Sequence, residues 1–249
     1  MPVWQALYQE LKDRSFVIVS VAFDTGGVEA VRPWIRPAEP IEIPGPFSDI
    51  IGLSAEDQRR MAAPTYPCLI DEKHVVAELY GMTNVPMAVW IDERGRIVRP
   101  AEPAGATDGF RSIDRTTFTM PAAVADEGRA ARKRYVAALR DWVKSGDASA
   151  YALSQDEVRR CFQEPSQTEA LAAANFQLGQ YLYALSRIDR AKLYFDEATR
   201  LCPDHWHYRR QALELAGKGN ASGPEFLAAV AALGARPYYP PVALEEKQT

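Results

Sequence analysis

One run of eight residues, Ser15-Phe-Val-Ile-Val-Ser-Val-Ala22, constrains the fold of this chain more than any other feature. It is β-branched and apolar at nearly every position, without polar alternation. Such a run is expected of a strand covered on both faces, as in a parallel sheet flanked by helices. Helical patterns stand on either side of it. Val3, Trp4, Leu7, Tyr8 and Leu11 share one face at a 3.6-residue period, and a short helix is predicted from Gly27 to Ile35. The order helix, strand, helix predicts an α/β class at the start of the chain.

Five prolines between Pro33 and Pro46 then impose an irregular segment, inside which Ser54-Ala-Glu-Asp57 has the form of a capping box. Tyr66–Asp71 is a second strand candidate. Asp71 is placed to cap a helix from Glu72 to about Tyr80 that stops at Gly81. Val85–Asp92 is a third apolar strand, and the short connection Glu93-Arg94-Gly95 to Arg96–Arg99 predicts an antiparallel hairpin. Residues 100–121 read as a long loop, a length that is uncommon without a task or a surface to cover. From about Ala125 to Ser145 a helix buries Tyr135, Val136, Leu139, Trp142 and Val143.

Past the small, polar stretch Lys144–Ala150 no further strand pattern follows, and helical patterns continue. We therefore expect an α/β domain over residues 1–145 and an all-α domain over 151–249. Ser154-Gln-Asp-Glu157 and Ser166-Gln-Thr-Glu169 are capping-box patterns that open two helices. Leu178-Gly179, Leu182, Ala191, Phe195, Ala198 and Pro203 follow at a spacing that resembles one tetratricopeptide repeat. The resemblance implies that Gly179 and Ala191 lie where two antiparallel helices approach, with Phe195 and Ala198 packing between them. Asn175 and Leu182 depart from the aromatic residues usual in that repeat. A single copy cannot bury its own face, so it must dock on the helices after it or on the first domain.

Four pieces of residues 1–145 together resemble the thioredoxin-like fold, in its redoxin and thiol-disulfide reductase branch: the opening helix, Phe16–Asp24, Tyr66–Asp71, and Leu79–Asp92 with Gly95–Val98. A helix, then Gly81, then Val85-Pro86 opening a hairpin strand is how that family places its cis-proline loop. The resemblance implies that Val85–Pro86 is cis, faces the N-terminal end of the first helix, and binds an extended peptide, which makes Val85 and Pro86 the candidate substrate-binding residues. In the family the redox CxxC opens the first helix and a proline interrupts it shortly afterwards, the position that Pro2 matches. By that alignment the CxxC and a central strand, lying between the counterparts of Phe16–Ala22 and Met87–Asp92, precede Met1. The fold expected is thus a thioredoxin-like α/β domain, incomplete at its N-terminus, followed by a repeat-like helical domain. Two functions follow from it: a thiol-disulfide oxidoreductase whose present chain is inactive for want of the cysteine pair, or a non-catalytic protein-binding module.

The remaining residues exclude more than they assign. A net charge of −4 offers no general field for nucleic acid, so no nucleic-acid partner is expected. No apolar stretch approaches the length of a membrane span, and the first residues lack the form of a secretory signal. The chain as written is expected in the cytoplasm, or outside it were a leader to precede Met1. Three dispersed cysteines, Cys68, Cys161 and Cys202, fit neither a disulfide framework nor a zinc site and read as inert packing thiols. His205 and His207 stand two apart, which on a helix separates them for chelation. Arg129, Arg132, Lys133 and Arg134 read as a solvated helix face, and Asp24 as a turn cap at the end of the first strand. No catalytic residue, metal ligand or cofactor is assigned, and the expected partner is a protein or peptide.

Overall fold

The contacts of the first helix show how the N-terminal part is held together. The computed structural model describes residues 2–35, 64–162, 164–217, 219–242 and 244; the capping-box pattern at Ser54 falls outside them. Helix α1 (Pro2–Leu11) is followed by strand β1 (Ser20–Phe23) and helix α2 (Gly27–Ile35). Leu7 and Leu11 of α1 are buried in a cluster with Trp90, Val98, Tyr135 and Leu139. On another side of α1 the Tyr8 ring meets Tyr66 edge-on at 5.6 Å. Gln5 accepts from the Thr65 amide at 2.8 Å and donates to its hydroxyl at 2.8 Å.

β1 pairs in parallel with β2 (Cys68–Asp71), Ser20 opposite Cys68 and Phe23 opposite Asp71. β3 (Met87–Ile91) and β4 (Ile97–Pro103) form the expected antiparallel hairpin. Among the described residues each of these sheets has two strands, and no ladder joins β1 to β3. The apolar run read as covered on both faces is accordingly shorter as a strand and open: Val17 is 59% and Val19 49% exposed, and no β1 residue is fully buried. A strand with one neighbour and one packed face cannot hide residues that alternate to both sides.

Asp71 caps the next helix, α3 (Val75–Leu79), its two carboxylate oxygens accepting from the amides of Val75 and Val76 at 2.9 and 2.7 Å. β4 extends through Pro100 and Pro103 into what the sequence reads as loop. Prolines are tolerated where their missing N–H falls at a sheet edge. Helix α4 (Ala122–Ser145) then packs Tyr135, Val136 and Leu139 on the hairpin. Trp90 donates from Nε1 to the Tyr135 hydroxyl at 2.9 Å and stacks on Trp142 at 5.2 Å. Burying each such aromatic or leucine side chain is worth about 1.5–3 kcal/mol. The polar stretch after α4 is tied down rather than free: Leu153 donates to the Val98 carbonyl at 2.9 Å, and Arg99 bridges Glu102 and the Tyr151 carbonyl.

From here the described elements are helical: α5 (Gln155–Cys161), α6 (Gln167–Ala184), α7 (Ile188–Leu201), α8 (Trp206–Ala216) and α9 (Pro224–Ala231). Both capping boxes form, Ser154 with Glu157 and Ser166 with Glu169. α6 and α7 close as a hairpin on Phe176, Ala191, Phe195 and Ala198. A Cβ at Gly179 would stand 2.7 Å from the Phe195 ring, so the approach of these helices requires glycine there. The molecule is a mixed α/β protein with two small sheets and a helical C-terminal part.

Candidate binding site at the cis-proline loop

Residues 83–86 connect α3 to β3, and the Val85–Pro86 peptide bond is cis, as expected. Asn84 is 3% exposed. Its side-chain oxygen accepts from the Val85 amide at 2.8 Å, which leaves the side-chain nitrogen directed away from the loop, donating to the Tyr238 carbonyl at 3.2 Å. The Val85 carbonyl accepts from the Tyr239 hydroxyl at 2.7 Å. Burial raises the pKa of that hydroxyl, so it stays protonated and able to donate. Pro86 itself is exposed, and its carbonyl accepts from Ala104 at 3.2 Å. The hydrogen bonds that reach this loop from elsewhere thus include two from the C-terminal segment 238–239; in the sequence reading the loop faces the start of α1.

The opposite wall comes from the turn at 108–112. Asp108 accepts from the amides of Tyr238 and Tyr239, both at 2.8 Å, and pairs with Arg111 at 3.1 Å. Arg111 donates to the carbonyls of Gly234 at 2.7 Å and Arg236 at 3.0 Å. Phe110 meets the rings of Tyr238 and Tyr239 at 5.0 and 6.1 Å, and Trp206 lies 4.5 Å from Tyr238. A cleft of about 300 Å³ remains beside these groups, lined by Asn84, Met87, Trp206, Arg236, Tyr238 and Pro240 among others. Val85 and Pro86, the candidate residues of the sequence reading, flank this cleft in sequence and are not among the residues that line it. Asn84, Asp108, Arg111, Tyr238 and Tyr239 were not legible as a site, because the elements carrying them are about 130–150 residues apart in sequence. The only signal was the unexplained length of the 100–121 connection and a Tyr-Tyr pair set among prolines.

The thiols stand apart from this site. Cys68 opens β2 and is half-buried, its sulfur 3.5 Å from the Tyr66 carbonyl. Cys161 ends α5 and is exposed, which corrects the packing role expected of it. Cys202 caps the C-terminus of α7, and burial pushes its thiol pKa up, with the charges of Glu169 and Asp204 adding to the shift. A helix C-terminus is the wrong end of the dipole for a thiolate, which is activated at helix N-termini or beside cations.

A second group of polar side chains lies buried between the strands and the helical part. His74 donates from Nε2 to the Gln211 side-chain oxygen at 3.1 Å, and the same oxygen accepts from the Thr25 amide at 3.0 Å. The His74 ring lies 5.0 Å from Phe176 and 5.9 Å from His207. Burial drives the His74 pKa down to about 4. For His207 burial, with the positive charge of His74 and His205 added, drives it down to about 3. Both are neutral imidazoles at neutral pH, and no group of three or more metal-ligating side chains forms among the described residues. Asp24 behaves as a turn cap, accepting from Gly26 at 2.8 Å.

Comparison with known proteins adds no relative: no family model, no curated protein and no solved structure matches this chain. No helix among the described residues is long and apolar enough to cross a membrane.

Proposed function

We propose that this chain is a non-catalytic protein-binding module of the thioredoxin-like type, whose binding face is the cis-proline loop at residues 83–86 and its surroundings. The observation that carries this reading is that the loop already holds another segment of the chain: Asn84 and the Val85 carbonyl bond to Tyr238 and Tyr239. Polar groups aimed at a main chain, with an aromatic pocket beside them, are features that peptide recognition uses. The alternative, thiol-disulfide exchange, needs an activated attacking thiolate and a resolving partner. None of the three cysteines occupies a helix N-terminus, so none gains the dipole that lowers a thiol pKa.

Two measurements test the reading. In an insulin-reduction assay with dithiothreitol the chain is expected to give no rate above the free dithiol; turnover that disappears with Cys68→Ser would instead make Cys68 a catalytic thiol. On an array of extended peptides the chain is expected to capture a subset, and Met87→Arg, which places a long cation in the cleft, is expected to abolish capture. An array without ligands, or one indifferent to Met87→Arg, removes the binding face.

A further inference from the structure

The main chain of the segment seated on the loop makes five hydrogen bonds to side chains of the cradle. Arg111 bonds the carbonyls of Gly234 and Arg236, Asp108 bonds the amides of Tyr238 and Tyr239, and Asn84 bonds the carbonyl of Tyr238. These bonds do not depend on the identity of the side chains they pass, so they are transferable to another chain in the same conformation. Specificity comes from the two rings. Tyr238 is 3% exposed among Phe110, Trp206 and Phe226, and Tyr239 reaches the Val85 carbonyl. Pro237 and Pro240 on either side each fix one backbone angle of the free segment.

We propose that Asn84, Asp108 and Arg111 form an exchangeable peptide-binding cradle, occupied in cis by residues 234–239 and able to take in their place a peptide of the same turn-and-bend conformation with two consecutive aromatic residues flanked by prolines. The proposal deepens the binding-module reading and rests on it. The charges of the cradle support exchange. Asp108 and Arg111 pair with each other at 3.1 Å and are both partly exposed, 29% and 22% at the side chain. Release of the segment therefore leaves neither charge buried and alone, which is the costly outcome of breaking a buried pair. Tethering sets the competition. A segment joined by a short linker acts at an effective concentration near the millimolar range, so the resident peptide masks the cradle from a micromolar ligand until its own contacts are weakened.

The test uses the full chain and a fluorescein-labelled peptide of residues 234–241, Gly-Ala-Arg-Pro-Tyr-Tyr-Pro-Pro, read by anisotropy. The full chain carrying Tyr238→Ala and Tyr239→Ala is expected to bind this peptide at least tenfold more tightly than the unaltered chain. Adding Asp108→Asn is expected to remove at least tenfold of that affinity, and a peptide with both tyrosines replaced by alanine is expected not to bind. Should the double variant be loosened in its fold, the peptide in trans must raise its melting temperature where the alanine peptide does not. Absence of both binding and thermal restoration overturns the cradle, as does binding insensitive to Asp108→Asn. If the cradle fails while the array still yields ligands lost with Met87→Arg, the cis-proline face stands as a binding site and only the exchange with the C-terminal segment is refuted.

Discussion

His74 shows how one side chain reports on the packing around it. Its Nδ1 has no hydrogen-bond partner, and both ring nitrogens of His207 lack one. Such rings tolerate burial only when neutral. An unfolded histidine takes up its proton near pH 6.5, whereas the folded His74 does so near 4. Below pH 6.5 the unfolded chain therefore binds more protons than the folded one, and stability falls with falling pH until the folded pKa is passed. For His74 alone the loss between pH 7.5 and pH 5 is about 2 kcal/mol. Urea unfolding at the two pH values is expected to show the midpoint fall on acidification, with the fall reduced in His74→Gln. An unchanged midpoint would mean that these rings are hydrated. Asn84 and Asp108 belong at the same scale: neither carries a sequence pattern that marks it as functional, and each becomes part of a site through the segment it faces.

At the scale of elements, the helix starts after residue 150 were the most legible features. In a capping box the serine and glutamate satisfy one another's backbone donors within four residues, so nothing distant is required. Ser166 accepts from Glu169 at 3.2 Å, and Ser154 accepts from Glu157 at 3.3 Å. Loss of either cap costs about 1 kcal/mol locally, but the two helices differ in what hangs on them. α6 carries Phe176, which is fully buried, whereas α5 is a seven-residue helix with one buried side chain, Val158. Ser166→Ala is expected to lower global stability by about 1 kcal/mol. Ser154→Ala is expected to lower it by less than half of that while speeding hydrogen exchange of the α5 amides. Equal effects on the denaturation midpoint would show that α5 unfolds only with the rest. The strand run at residues 15–22 was read less well, because its apolarity says that it can be covered on both faces and not that neighbours are present to cover it.

At the scale of the whole molecule, the strands and the helical part meet along a polar seam. Gln211 of α8 accepts from His74 and Thr25, Gln180 of α6 donates to the Thr25 hydroxyl at 2.7 Å and the Glu72 carbonyl at 3.2 Å, and the His207 amide donates to the Thr83 carbonyl at 3.2 Å. Gln211→Ala strands the buried His74 donor and the half-buried Thr25 amide, and at about 1–3 kcal/mol for a buried group a loss of roughly 2–3 kcal/mol is expected. Because the seam belongs to both parts, far-UV circular dichroism and tryptophan fluorescence are expected to shift together in the thermal melts of this variant. Two separated transitions, only one of them moved, would show parts that unfold independently.

The sequence by itself determined what short-range physics can specify. The amphipathic period of α1, the Asp71 cap, the Gly95 hairpin and the two serine boxes each depend on residues within one or two turns of one another. It also determined where a small residue was needed, since Gly179 and Phe195 lie in one helical hairpin. Only the tertiary structure decided that, among the described residues, β1 pairs with β2 alone, that Leu153 bonds to Val98, and that Asn84 and Val85 bond to residues 238–239. Those outcomes depend on which distant elements come together, and hydrogen bonds between groups that are common to every residue's main chain leave no pattern in the side chains that the sequence spells out.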